Sequence, residues 1–113
     1  MKLIQKSLLK GTQEFELLDD EVRVRIKAPF KSKELSVPLA ILNPEPEITG
    51  SYLHFHSRVK CGPLLSLYLN KPNEKEFNAF VNEVKEKALK VEGAVEVELS
   101  ALANAFKSTL SGI

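Results

Sequence analysis

The chain has no tryptophan, one cysteine and one methionine, and it lacks any uninterrupted apolar stretch of spanning length. A single cysteine, Cys61, rules out an internal disulfide, so the fold rests on its core and a reducing compartment is expected. A membrane-crossing helix needs roughly 18 or more consecutive apolar residues, so no transmembrane segment is expected. The first ten residues lack both the apolar block of roughly 7–15 residues and the small-residue cleavage site of a secretory signal, and a cytoplasmic location is the expectation. An excess of one charge is missing too. Sixteen basic and fifteen acidic residues leave a net charge of +1, which gives no global pull toward nucleic acid and leaves only local patches to seek. No glycine-rich phosphate loop, paired catalytic carboxylates or dinucleotide fingerprint occurs. No catalytic residue and no cofactor is therefore expected, and the chain reads as a non-enzyme.

What is present is a single domain's worth of sequence. At 113 residues a chain buries roughly two-thirds of its unfolded surface and holds a core without staples. The organising stretch runs from Leu64 to Lys90. Leu65, Leu67 and Leu69 alternate with Leu64, Ser66 and Tyr68, an apolar strand pattern expected to lie centrally with burial on both faces. After Lys71 and Pro72, the residues Phe77, Phe80, Val81, Val84 and Ala88 fall at i, i+3, i+4, i+7 and i+11, one face of a helix. Asn73 is its expected N-cap, with Glu76 three residues on in the capping-box position. Glu83–Lys87 and Glu86–Lys90 are spaced as i, i+4 ion pairs on the wet side.

Upstream, the hydrophobic period is two. Phe15 and Leu17 alternate with Glu14 and Glu16, and Val22, Val24, Ile26 and Ala28 alternate with Arg23, Arg25 and Lys27. The Asp19-Asp20 pair between them predicts a turn and hence an antiparallel hairpin. Leu35, Val37, Leu39 and Ile41 continue the alternation. Pro38 cannot donate to a ladder, which assigns that strand to an edge or a bulge. Residues 48–50 read as a strand stub and residues 51–59 as a further strand. Residues 1–10 fit a strand or a short helix with Leu3, Ile4 and Leu8 on one face. Leu99, Leu102, Ala103, Phe106 and Leu110 repeat the helical spacing, which predicts a second helix across about 96–110. Residues 94–99 also alternate, so a short strand there is equally open.

The sum is an α+β domain: a curved antiparallel sheet or partly open barrel of five to seven strands, capped by the long amphipathic helix. Residues 1–93 make this unit, and residues 94–113 are a helical appendage. The order of elements carried by Phe15-Glu-Leu-Leu-Asp-Asp-Glu-Val-Arg-Val-Arg-Ile26, Glu34-Leu-Ser-Val-Pro-Leu-Ala-Ile-Leu42, Tyr52-Leu-His-Phe-His56 and Leu67 through Ala88 resembles the small bacterial pleckstrin-homology-like domains. The likeness covers roughly residues 12–90 and implies a non-enzymatic interaction or scaffold domain. Eukaryotic members carry a helix tryptophan. This chain has none, so Phe77 or Phe80 is expected to fill that space.

The resemblance also implies a candidate anion site. In such domains a lysine followed, after a gap, by basic-x-Arg cups a phosphoinositide, and here Lys10 and Arg23-Val-Arg25 match loosely, with Lys31 in the next loop. The ligand would be an anionic lipid headgroup or a phosphate, with peripheral membrane contact as its consequence. The competing expectation is a solvated strand face whose basic residues pair with Glu14, Glu16 or Glu34 across strands. His54 and His56 share a strand face near Cys61. Zinc requires three or four ligands and the chain offers no further Cys or His, so polar packing is expected there in place of a metal or thiol site. The stripe Leu99, Leu102, Phe106 and Leu110 is the partner-facing candidate, either on the domain's own sheet or against another protein, most simply a second copy of the chain.

Overall fold

The computed structural model describes residues 1–7, 11–59 and 61–91. Lys10, the second helix, the alternation at 94–99 and the stripe from Leu99 to Leu110 lie outside the described residues. Strands β1 (Lys2–Ser7), β2 (Gly11–Leu17), β3 (Glu21–Lys27) and β4 (Ser32–Pro38) form one antiparallel sheet in chain order. Strands β5 (Glu47–Thr49), β6 (Tyr52–His56) and β7 (Pro63–Tyr68) form a second. Helix α1 spans 74–91. The class is α+β with antiparallel sheets and one covering helix. Among the described residues the two sheets remain separate hydrogen-bonded units, so the barrel is not closed. No described helix is long and apolar enough to cross a membrane.

The period of two sorts the first sheet into rows. On the inner face, Leu17, Val22 and Val37 lie in one row, Leu3, Phe15, Val24 and Leu35 in the next, and Gln5, Gln13, Ile26 and Lys33 in the third. The N-terminal ambiguity resolves to a strand for residues 2–7, with Leu3 and Gln5 inward and Ile4 outward, so the helical face drawn through Leu3 and Ile4 is not used. The second sheet contributes Leu53, Phe55, Leu65 and Leu67 to the same core.

Helix α1 covers the end of this sandwich that carries the Asp19-Asp20 turn. Its N-terminus is capped as the sequence predicts, the Glu76 N–H donating to Asn73 Oδ1 at 2.9 Å. Phe77, Phe80, Val81, Val84 and Ala88 are all buried, and Phe80 lies against Phe15 with ring centroids 6.3 Å apart. Burying each Phe or Val contributes about 1.5–3 kcal/mol. Lys87 does not pair with Glu83. Its Nζ reaches the Leu18 carbonyl at 3.4 Å and Asp19 at 3.5 Å, which ties the helix to the β2–β3 turn. Near the other sheet, Arg58 donates to the Leu42 carbonyl at 2.8 Å and to Ala88 at 3.2 Å, so a last-turn carbonyl of α1 finds a partner.

Two expectations need correction. The alternation through Ile41 ends at Pro38, because Leu39–Ile41 is a 3₁₀ turn closed by Leu42 N–H donating to the Leu39 carbonyl at 3.1 Å. A period near three brings Leu39 and Leu42 inward together, both fully buried. Pro38 does stand on an edge strand. Strand β7 is not central either. It is the edge of the second sheet with Ser66 exposed, and Leu64 and Leu69 are only partly buried against the core.

The seam between β1 and β7 is closed by one side chain. Gln5, 0% exposed, is the only buried polar residue among those described. Its Nε2 donates to the carbonyls of Tyr68 (2.8 Å) and Lys71 (2.9 Å), and its Oε1 accepts from the Tyr68 N–H (2.8 Å). The side-chain amide thus pairs with a backbone amide as a neighbouring strand would. Stranding one buried polar group costs about 1–3 kcal/mol, and here three backbone groups depend on Gln5. Gln5→Leu, which keeps the volume, should lose more than about 2 kcal/mol in urea unfolding. Gln5→Glu, which can donate to neither carbonyl, should be no better.

Candidate functional site

The outer face of the first sheet separates its charges by position along the strands. Its first row is Lys2, Glu16, Arg23 and Ser36, and its second is Ile4, Glu14, Arg25 and Glu34. In these rows opposite charges interleave. Arg23 lies 3.1 Å from Glu21 and 3.6 Å from Glu34, and Arg25 lies 3.6 Å from Glu34 and 3.8 Å from Glu14. Lys2 lies 3.3 Å from Glu16 and 3.4 Å from Glu14. Hydrogen bonds that the Lys2 ammonium donates to Glu16, then to Glu14, hold it above the ordinary lysine value. Exposed pairs of this kind stabilise little, but they neutralise the two arginines. The arrangement matches the cross-strand pairing weighed against an arginine-based anion site, with Glu34 shared between both.

The third outer row is Lys6, Thr12, Lys27 and Ser32, which contains no acid. It lies next to the β3–β4 hairpin, where the Ala28 N–H donates to the Lys31 carbonyl at 2.8 Å and leaves Pro29 and Phe30 as the tip. Phe30 is 98% exposed. Lys27, Lys31 and Lys33 surround it, all exposed, and none is in an ion pair among the described residues. The opposite end of the sheet carries Asp19, Asp20 and Glu21. The sheet is therefore polarised along its strands, acidic at the helix-covered end and basic at the other. Of the sequence-predicted ligand set, Arg23 and Arg25 are engaged by carboxylates, whereas Lys31 belongs to the lysine cluster. Lys27, Lys33 and Phe30 were not in that set; the signal for them was a hairpin tip with a Phe between lysines.

The β1–β2 hairpin turns at this same end. Gly11 adopts φ +81°, and a Cβ there would fall 2.1 Å from the Lys27 carbonyl oxygen. Only glycine lets β2 begin so close to β3, which brings the two hairpin ends side by side.

His54 and His56 project from the outer face of the second sheet, their rings 6.2 Å apart. His54 Nδ1 is 2.8 Å from Ser66 Oγ. His56 Nε2 is 3.0 Å from a Glu47 carboxylate oxygen but off hydrogen-bonding geometry, which leaves that nitrogen without a formal hydrogen bond. Tyr52 stacks on His54 and meets Tyr68 at 5.3 Å, so the two histidines belong to a ring ladder on the sheet surface. Cys61 is exposed in the turn before β7. Among the described residues, no three His, Cys, Asp or Glu side chains converge as a metal site would require.

No protein-family model, curated protein or solved structure matches this chain. Gly11→Ala should destabilise the fold by more than about 1 kcal/mol in denaturant titration, because both the dihedral and the Lys27 carbonyl oppose a methyl group.

Proposed function

We propose that this protein is a non-enzymatic binding module that meets an anionic, phosphate-bearing surface with its lysine hairpin end. The observation that carries the reading is the contrast between the two sets of cations on one sheet. Arg23 and Arg25 are matched by carboxylates, whereas among the described residues Lys27, Lys31 and Lys33 have no ion-pair partner and lie near an exposed Phe30. A basic rim around an apolar tip is complementary to a bilayer interface, where the ring enters the headgroup layer and the ammonium groups face phosphates. The order of four antiparallel strands, three antiparallel strands and one helix supports the likeness to pleckstrin-homology-like domains and the interaction role that it implies.

Co-sedimentation with phosphatidylserine–phosphatidylcholine vesicles, against phosphatidylcholine alone, tests this. Each lysine near an anionic surface contributes about 1 kcal/mol, so K27Q/K31Q/K33Q should lower partitioning roughly 100-fold. Phe30→Ser should weaken it further, and R23Q/R25Q should leave it near wild type. Binding that ignores the triple lysine change, or no binding to the anionic vesicles at low salt, removes the proposal.

A second reading concerns the stripe Leu99, Leu102, Phe106 and Leu110, outside the described residues. It repeats the spacing of the α1 stripe, and α1 already occupies the sandwich end that such a helix would cover. We infer that it brings two copies of the chain together. Light scattering of the full chain should give twice the chain mass, returning to the monomer for L102E/F106E; a monomeric full chain overturns it.

A further inference from the structure

The Gln5 bridge gathers side chains as well as backbone. Because Gln5 faces inward, Lys6 after it faces outward, in the outer row that contains no acid. The same amide holds the backbones of Tyr68 and Lys71, and the Leu69 N–H donates to the Ser51 carbonyl at 2.9 Å. The result at the seam is a cleft of about 280 Å³ lined by Lys6, Ser7, Ser51, Tyr68, Leu69 and Lys71. Lys6 and Lys71 are exposed, and neither is in an ion pair among the described residues. Two other clefts that contain cations each include a carboxylate, Glu76 with Lys2 in one and Glu34 with Arg25, Lys27 and Lys33 in the other. The seam cleft has no acid among its lining residues.

An aromatic ladder begins at this cleft. Tyr68 is half-buried, with its ring 5.3 Å from Tyr52 across the strands, and Tyr52 stacks on His54 at 5.9 Å with the planes 16° apart. Rings on a sheet surface take up nucleobases by stacking, while neighbouring cations meet the phosphates. Lysines alone would accept any anion, whereas a phenol ring beside two lysines selects a flat ring joined to a phosphate. Charge also sets the extent of the site. Glu47 stands in register with His54 and lies 3.0 Å from His56, so the far end of the ladder repels phosphate.

We propose that the seam cleft binds one nucleotide unit, its base against Tyr68 and its phosphate between Lys6 and Lys71. A volume just under the roughly 300–1,000 Å³ of sites for drug-sized molecules holds one such unit and not several. The site shares no residue with the Phe30 hairpin and goes beyond the surface reading given above. The unit is either a free nucleotide or one residue of a single strand.

Calorimetric titration of the full-length protein with adenosine monophosphate, adenosine and inorganic phosphate tests the inference. The monophosphate should bind at least about tenfold more tightly than either part alone. Tyr68→Leu should lower its affinity about tenfold, while Tyr68→Phe, which keeps the ring, should stay within about twofold of wild type. K6Q/K71Q should weaken the monophosphate and phosphate but not adenosine, and both lysines are exposed, so this variant is expected to fold. Amide spectra report the fold of each variant. A single-stranded deoxyadenylate hexamer that binds more tightly than the monophosphate identifies a strand as the source; equal or weaker binding identifies the free nucleotide. Monophosphate binding no tighter than that of phosphate, or unaltered in K6Q/K71Q or in a folded Tyr68→Leu, overturns the assignment. So does its loss in K27Q/K31Q/K33Q, which would place the phosphate at the hairpin instead.

Discussion

The seam between the two sheets at β1 and β7 is bridged by the side-chain amide of Gln5. Strand edges carry rows of unpaired N–H and C=O groups, and a sandwich or barrel normally conceals them by pairing edge to edge. Here β1 and β7 do not pair through their backbones. Gln5 instead turns inward from a strand whose other inward residue is Leu3, and it presents to Tyr68 the donor and acceptor that a neighbouring strand would offer. The third bond, to the carbonyl of Lys71, fixes the chain just before α1 begins. One residue thus ties β1 both to the end of β7 and to the segment that leads into the helix. Grooves remain on either side of it, one along Met1, Ile4 and Pro72 and one along Lys6, Tyr68 and Lys71.

Burial is uneven along the first sheet: on the inner face of β4 it falls toward the lysine hairpin, from Val37 at 7% exposed to Leu35 at 42%. The opposite end is packed by the helix. The phenylalanines of α1 enter, Lys87 holds the Asp19 turn and Arg58 holds the last turn of the helix. The same asymmetry appears in the charges. Among the described residues, acids cluster in the turn that the helix covers and lysines at the other end of the sheet.

Much of this was legible in the sequence because local period and tertiary environment agreed. Phe15, Leu17, Val22 and Val24 of the hairpin and Phe77, Phe80, Val81, Val84 and Ala88 of the helix all turn into the core, and Asn73 caps the helix as its chemistry demands. Pro38 marked an edge strand for the reason it must, having no N–H to give. The misses have physical causes. Gln5 looks like any polar residue of an ambiguous strand, since its value comes from partners 63 and 66 residues away. Leu39 and Ile41 continue an alternation that the chain leaves for a 3₁₀ turn. The leucines of β7 mimic a central strand because those at its ends touch the core without a second layer above them. At the candidate site the sequence offered both outcomes for Arg23 and Arg25, and cross-strand register places carboxylates beside both. Register cannot be read before strand pairing is known, and it alone separates the arginines facing Glu34 and Glu14 from the lysine row that faces no acid.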